Sequence, residues 1–340
     1  MSSPGNDNVV VDYQAHWYPR SCVEALAGRS AYPKAERTAD GGYVYLVDDG
    51  VSQPQMDKLT MDLEEHLARA DAAGIDKLVF GPATLSEVLH LPAREAADLL
   101  DRVHEEYAAA QRAYPDRVAG LAALPMQDPA AALEVLNRAV GELGLRGVSL
   151  LTVNEGRPLA SDDTLAVFAR IAELGVPVFL HPALRSATVD RTRTFREEVG
   201  LAWMYQTALA ALQLIDSGVL DAVPGLVVVH PHLGGVLPYV AGRISPLPGS
   251  KAEHPIEHYL KTRFYADTAA ATPAALDLAV RAYGADRLVF ATDHPFGPMT
   301  ALRRYVENNL PPQTASRIYA NRIPGLSFPV RQRQDGGYIG

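Results

Sequence analysis

The chain reads as an α/β protein, a single (β/α)8 TIM-type barrel with an insertion after its first strand. Eight short apolar runs alternate with amphipathic helical stretches. No Gly-x-Gly-x-x-Gly follows the first run, which argues against a large doubly wound dinucleotide-binding sheet. Histidines gather where the runs end, the face on which barrels carry their chemistry. At 340 residues, one barrel domain spanning 1–340 accommodates the whole chain.

The runs are Val9–His16, Lys77–Ala83, Val118–Pro125, Gly147–Val153, Pro177–Ala183, Leu226–Gly235, Arg263–Ala269 and Leu288–Phe296. Most are rich in Val, Leu and Phe without clean alternation, as expected of parallel strands buried on both faces. Helix starts are marked by Asp128-Pro129 and Thr272-Pro273, each a capping side chain before a proline at the first helical position. Gly74 and Gly218 are among the glycines expected to end helices. Leu59, Leu63 and Leu67 carry the i, i+4, i+8 spacing of one helix face. Residues 20–57 form the insertion, in which Gly41–Val47 reads as a short hairpin, and on the catalytic face it would serve as a lid. The polar, Gly-rich tail from Val330 reads as loosely ordered. No internal repeat or low-complexity segment is found.

Composition narrows the function. Net charge is −9 and the Lys and Arg residues form no basic run, so nothing points to nucleic acid. Cys22 is the only cysteine, which excludes an internal disulfide and fits a reducing, cytoplasmic location. The polar leader does not read as a signal peptide, and no apolar stretch approaches the ~20 residues a membrane span needs.

His16, His181, His230, His232 and His294 lie at or just past strand ends, whereas His66, His90, His104, His254 and His258 fall on helices or loops and read as surface or core histidines. Asp293 ends the eighth run, where a buried carboxylate is costly unless it is paired or bound to a cation. Imidazoles and one carboxylate converging from different strands suggest a single divalent metal, zinc first and manganese second. No lysine sits near the end of the fourth run, so a carbamylated-lysine bridge between two metals is unavailable there.

Five ordered motifs carry a resemblance: Asp12-Tyr-Gln-Ala-His-Trp-Tyr-Pro19, Leu124-Pro-Met-Gln-Asp-Pro129, Pro177-Val-Phe-Leu-His-Pro182, His232-Leu-Gly-Gly235 and Ala291-Thr-Asp-His-Pro-Phe296. From Val9 to Pro324 the chain resembles the amidohydrolase superfamily, in the branch of 2-amino-3-carboxymuconate-6-semialdehyde decarboxylase and related aromatic-acid decarboxylases. The resemblance implies His16, His181 and Asp293 as metal ligands. It implies His232 as the acid–base group, with His230 an extra imidazole two residues earlier on the same strand. Gln14 stands where the family usually has a ligand histidine and some decarboxylases have glutamate. Its amide oxygen is a weaker donor to zinc, so it either assists the metal or makes only a hydrogen bond. Arg243, eleven residues after His232, corresponds to an arginine that reaches a partner's substrate carboxylate, which implies a homodimer. A second substrate arginine has no counterpart near Asp48, which argues against the same substrate. Trp17 and Trp203 are candidates to line a pocket for an aromatic acid.

These features point to a metal-dependent, non-oxidative decarboxylase of a small aromatic or conjugated carboxylic acid, with His232 and Asp293 as catalytic groups. A metal-dependent hydrolase of a lactone or amide is the alternative, because fold alone does not choose between reactions. A metal-free barrel with a binding role is the second alternative, motivated by Gln14.

Overall fold

A computed structural model describes residues 9–47, 55–154, 157–184, 194–329, 331–332 and 338–339. Each expected run contains a strand, shorter than the run itself. They are β1 (Val11–His16), β2 (Lys77–Gly81), β3 (Val118–Gly120, resuming after Leu121 as Ala122–Ala123), β4 (Val148–Leu151), β5 (Val178–His181), β6 (Val228–His230), β7 (Phe264–Asp267) and β8 (Leu288–Val289).

Parallel ladders join β1 to β2 and β2 to the first half of β3. A second set runs from the second half of β3 through β4, β5, β6 and β7 to β8. Leu121 bridges the two sets, its N–H donating to the Phe80 carbonyl at 2.9 Å. The ring closes between β1 and the segment after β8. There Tyr13 N–H donates to Phe290 O (3.0 Å), Asp293 N–H to Gln14 O (2.9 Å) and His16 N–H to His294 O (2.6 Å). The result is the expected (β/α)8 barrel.

Side-chain alternation divides the core in two. Val11, Tyr13, Val79, Ala119, Leu121, Phe179, Val229, Tyr265 and Val289 fill the barrel, joined by Ile323 and Leu326 from the C-terminal segment. Their neighbours Leu78, Phe80, Val178, Leu180, Val228, Phe264 and Leu288 face the helices. Both faces are dry, and this is why the runs lack polar alternation.

Asp128 caps its helix by accepting from Ala130 and Ala131 N–H at 3.0 and 3.2 Å, and Thr272 accepts from Ala275 N–H at 3.3 Å. The single helix expected through Leu59, Leu63 and Leu67 is instead two, Lys58–Met61 and Leu63–Ala73, because Asp62 takes an extended conformation and starts the second. The insertion contains a helix, Arg20–Ala27, and a hairpin of Lys34–Arg37 against Tyr43–Leu46, with Gln55–Met56 added beyond it. Tyr43, Tyr45, Val47 and Met56 are buried in the main core, so this hairpin is docked along its length. Asp48 lies outside the described residues. Among the described residues no helix is long and apolar enough to cross a membrane.

Candidate active site at the barrel mouth

The strand ends bring His16, Gln14, His181, His232 and Asp293 to one mouth. His16, the last residue of β1, is 1% exposed. Its Nδ1 lies 3.1 Å from the Gly81 carbonyl and its Nε2 lies 2.9 Å from Asp293 Oδ1. Both ring nitrogens therefore face oxygen acceptors. That arrangement is satisfied by a second ring proton, or by a cation shared between Nε2 and Oδ1. Gln14 Nε2 donates to the same Oδ1 at 3.1 Å, and its buried Oε1 has no partner.

His181 ends β5 and stands edge-on to His16, with ring centroids 5.0 Å apart. Its Nδ1 donates to the Pro182 carbonyl at 2.8 Å, which leaves Nε2 as the lone-pair nitrogen. Burial, reinforced by neighbouring His16, pushes its pKa down to about 3, so the ring is neutral. Burial opposes ionisation of Asp293. The hydrogen bond from His16 is the largest of the opposing causes, which outweigh it and hold the carboxyl below its usual range. Burial likewise lowers His232, and its Nδ1 has no hydrogen-bond partner.

These donors fit a cation in kind. Two imidazoles have Nδ1 beside a backbone carbonyl, the support that metal-binding histidines commonly have. His16 Nε2 and Asp293 Oδ1, 2.9 Å apart, match the roughly 3 Å between two adjacent donors on one ion. Among the described residues, however, no group of three or more His, Cys, Asp or Glu side chains is gathered closely enough to hold an ion as it stands. His16 and Asp293 are already paired, and His181 stands off from them.

The backbone here is strained. Among the described non-glycine residues only five have positive φ, and His232 (54°) and Asp293 (57°) are two of them; Ala83, Leu233 and Ala270 are the others. His232 begins a run of four positive-φ residues, His232–Gly235, the last two of them glycines. The last two must be glycine: a Cβ on Gly234 would strike the Tyr283 hydroxyl, and one on Gly235 would strike Met204 O and Thr207 Oγ1.

The same turn separates the two β6 histidines. β6 stops at His230, and the left-handed turn breaks the alternation that would have placed both on one face. His230 is fully buried against Phe264 and Tyr283, and its Nδ1 is 2.9 Å from the Tyr283 hydroxyl. His294 turns toward His66, ring centroids 5.0 Å apart.

Other expected residues lie elsewhere. Trp17 stacks on Tyr107 at 5.6 Å, donates Nε1–H to Met61 O at 3.1 Å and borders an outer groove with Asp62 and Glu106. It serves packing. Trp203 opens the helix Trp203–Asp216, half-buried against the core, with Nε1 unpartnered. Arg243 is exposed on the helix Leu237–Ile244, outside this chain's own mouth.

Three residues near the mouth carry contacts that sequence reasoning did not assign. Asp12 accepts from Gln14 N–H (3.2 Å), Thr292 N–H (3.0 Å) and Thr292 Oγ1 (2.5 Å), stitching β1 to the segment after β8. Burial raises its pKa to about 7 against those hydrogen bonds. Asp267 ends β7 and accepts from His232 and Ala269 N–H at 2.9 and 3.1 Å. Phe296, half-exposed, packs 6.0 Å from His16. Asp12 and Asp267 had a signal, an acid within or at the end of an apolar strand, the same one that singled out Asp293.

The family model described as Amidohydrolase (Amidohydro_2) matches residues 11–316. The chain belongs to the amidohydrolase family. Within that family it is 30% identical over 279 residues to the gamma-resorcylate decarboxylase of Polaromonas sp. (strain JS666 / ATCC BAA-500), covering 75% of this chain and 84% of that one. It is 28% identical over 215 residues to 2-amino-3-carboxymuconate-6-semialdehyde decarboxylase of Dictyostelium discoideum, covering 60% and 58%. The crystal structure of Metarhizium anisopliae IDCase in apo form superposes with a TM-score of 0.80 at 23% identity, covering 93% of this chain and 96% of that one. A dihydroxybenzoic acid decarboxylase from Polaromonas sp. JS666, solved with manganese and 2-nitroresorcinol, superposes with a TM-score of 0.73 at 24% identity, covering 92% and 94%.

Proposed function

We propose that this amidohydrolase-family chain is a non-oxidative decarboxylase, a carboxy-lyase acting on a small aromatic carboxylic acid. The observation that carries the reading is the likeness to gamma-resorcylate decarboxylases along most of both chains. A hydrolase on the same scaffold is not favoured, since these relatives are decarboxylases.

His16, His181 and Asp293 are the proposed ligands of one divalent metal, with Gln14 beside them. A bound ion would supply Lewis acidity toward a substrate oxygen. Zinc is the proposed ion, from the mixture of imidazole and carboxylate donors. Manganese, present in the Polaromonas decarboxylase structure, is the competing result that elemental analysis would return.

The proton chemistry falls to this chain's own residues. Asp293 is engaged by His16 and Gln14, whereas His232 is neutral with Nδ1 unengaged. His232 therefore relays a proton taken from solvent to the ring carbon that bears the carboxylate; the bond between that carbon and the carboxyl carbon then breaks, its electron pair returns to the ring, and CO₂ leaves. Asp293, ionised and fixed in place, keeps the imidazoles oriented. The insertion's docked hairpin is the proposed wall of the mouth within a single barrel domain.

A homodimer with Arg243 serving the neighbouring site is also proposed. Large apolar side chains lie exposed near Arg243: Tyr239 on its own helix, Leu247 just beyond, Tyr205 on the helix packed against it and Leu201 just before that helix. Sedimentation of wild type and Tyr239→Glu tests this, with a dimer that the variant dissociates as the expected result.

The activity itself is tested by assaying CO₂ release and ring opening across a panel of hydroxybenzoic acids and lactones. CO₂ release from an acid, with one metal per chain lost in His181→Ala, is the expected outcome. Lactone opening without CO₂ release, or a chain purified gently without metal, overturns the mechanism.

A further inference from the structure

The structure assigns Asp267 as the positioning residue for His232, through the carboxylate oxygen that accepts the His232 backbone N–H. This rests on the proposed proton-transfer role of His232.

β6 ends at His230, and Pro231 turns the chain out of the ladder. From His232 to Gly235 every φ is positive, at 54°, 58°, 84° and 57°. Such a path is costly for His232 and Leu233, which have side chains, and it persists only where the surroundings hold it. On the Gly234 and Gly235 side the restraint is steric, from Tyr283, Met204 and Thr207. At the His232 end it is a hydrogen bond. Asp267 Oδ1 accepts from His232 N–H at 2.9 Å and from Ala269 N–H at 3.1 Å, tying the start of the turn to the end of the adjacent strand.

The placement is specific. Asp267 is 2% exposed, lies one strand over from His232, and also borders the small space beneath the mouth beside Gln14, His16 and His181. A water molecule could satisfy the His232 N–H on an open turn, but this turn is buried and the acceptor has to come from the protein. Removing the acceptor frees φ of His232. Its Cα–Cβ bond then swings, and the imidazole moves relative to its charged neighbours Asp293 and His16. Asp267's hydrogen bonds come from the backbone N–H groups of His232 and Ala269, so its effect on the proton transfer is through His232.

The conservative variant separates this role from general stability. Asp267→Asn keeps an acceptor oxygen at the same place, while Asp267→Ala removes it. On the acid that the wild type decarboxylates, Asp267→Ala is expected to lower kcat about 100-fold with KM little changed, and Asp267→Asn to restore most of the rate. In a His232→Gln background, Asp267→Ala is expected to cost almost nothing further. Amide hydrogen exchange, which needs no turnover, should speed up about tenfold or more across His232–Gly235 in Asp267→Ala and not in Asp267→Asn. Unchanged exchange there overturns the assignment, as does full additivity of the two kinetic losses. A His232→Gln enzyme with wild-type kcat instead overturns the proton-transfer reading, and the exchange result then stands by itself.

Discussion

The two sides of the barrel mouth are built differently. On the side where β8 meets β1, polar groups are bound to one another: His16 and Gln14 both contact Asp293 Oδ1, and Asp12 holds three donors. On the β5–β6 side, His181 has only Nδ1 engaged and His232 has an unpartnered Nδ1. The closed side fixes a carboxylate and a ring nitrogen where a cation would sit. The open side keeps nitrogen lone pairs free for a ligand or a proton. In the proposed site the closed side supplies two of the three metal ligands, His16 and Asp293, while the open side supplies the third, His181, together with the proton-transferring His232.

The largest effect that would break this division is on the closed side. Asp293→Ala is expected to lose the metal and about 10³-fold or more in kcat/KM, read by elemental analysis beside CO₂ release. If metal stays stoichiometric, the closed side is not the holding side. On the open side, His232→Gln should lower kcat about 10²-fold or more while metal content stays at wild-type level. Loss of metal in that variant would merge the two roles. Gln14→Glu adds an anion to the closed side and is expected to tighten metal binding about tenfold, measured by chelator competition. No change would mean the amide serves only Asp293.

A control that leaves catalysis untouched comes from the helix layer. His104 accepts the Ala123 N–H at 3.0 Å, and burial pushes its pKa down to about 4 from 6.5. The unfolded chain therefore takes up a proton before the folded one does as pH falls. The stability from neutral His104 is complete above about 6.5 and is lost on going down toward about 4, costing about 2 kcal/mol by pH 5. Denaturant midpoints should show that slope flattened in His104→Gln. A slope unchanged by the substitution would assign the acid sensitivity to other buried histidines, such as His66.

The barrel was legible because strands buried on both faces must be apolar, and all eight runs contain one. The polar first strand of the hairpin, Lys34–Arg37, gives no such signal, since Glu36 and Arg37 face solvent. The break at Asp62 was hidden because leucine spacing continues across it. At the site, residue types and strand ends marked His16, His181, His232 and Asp293. The separation of His230 from His232 was not legible, since it depends on a left-handed turn held by Asp267 and Tyr283, which are distant in sequence. Trp17 looked like a pocket residue because composition does not show which way an indole points, and Tyr107 and Met61 fix it facing elsewhere.

The contact between His16 and Asp293 spans 277 positions of the chain. During synthesis, the first ligand is exposed from the outset and its partner is among the last barrel residues to emerge. The pair does not exist on any nascent chain that lacks the end of the eighth strand. If the pair holds a metal, as proposed, its uptake would come last in maturation: an incomplete copy, however well its earlier strands have docked, lacks the carboxylate that holds the imidazole. The seam that closes the ring is thus also the one that completes the proposed metal pair.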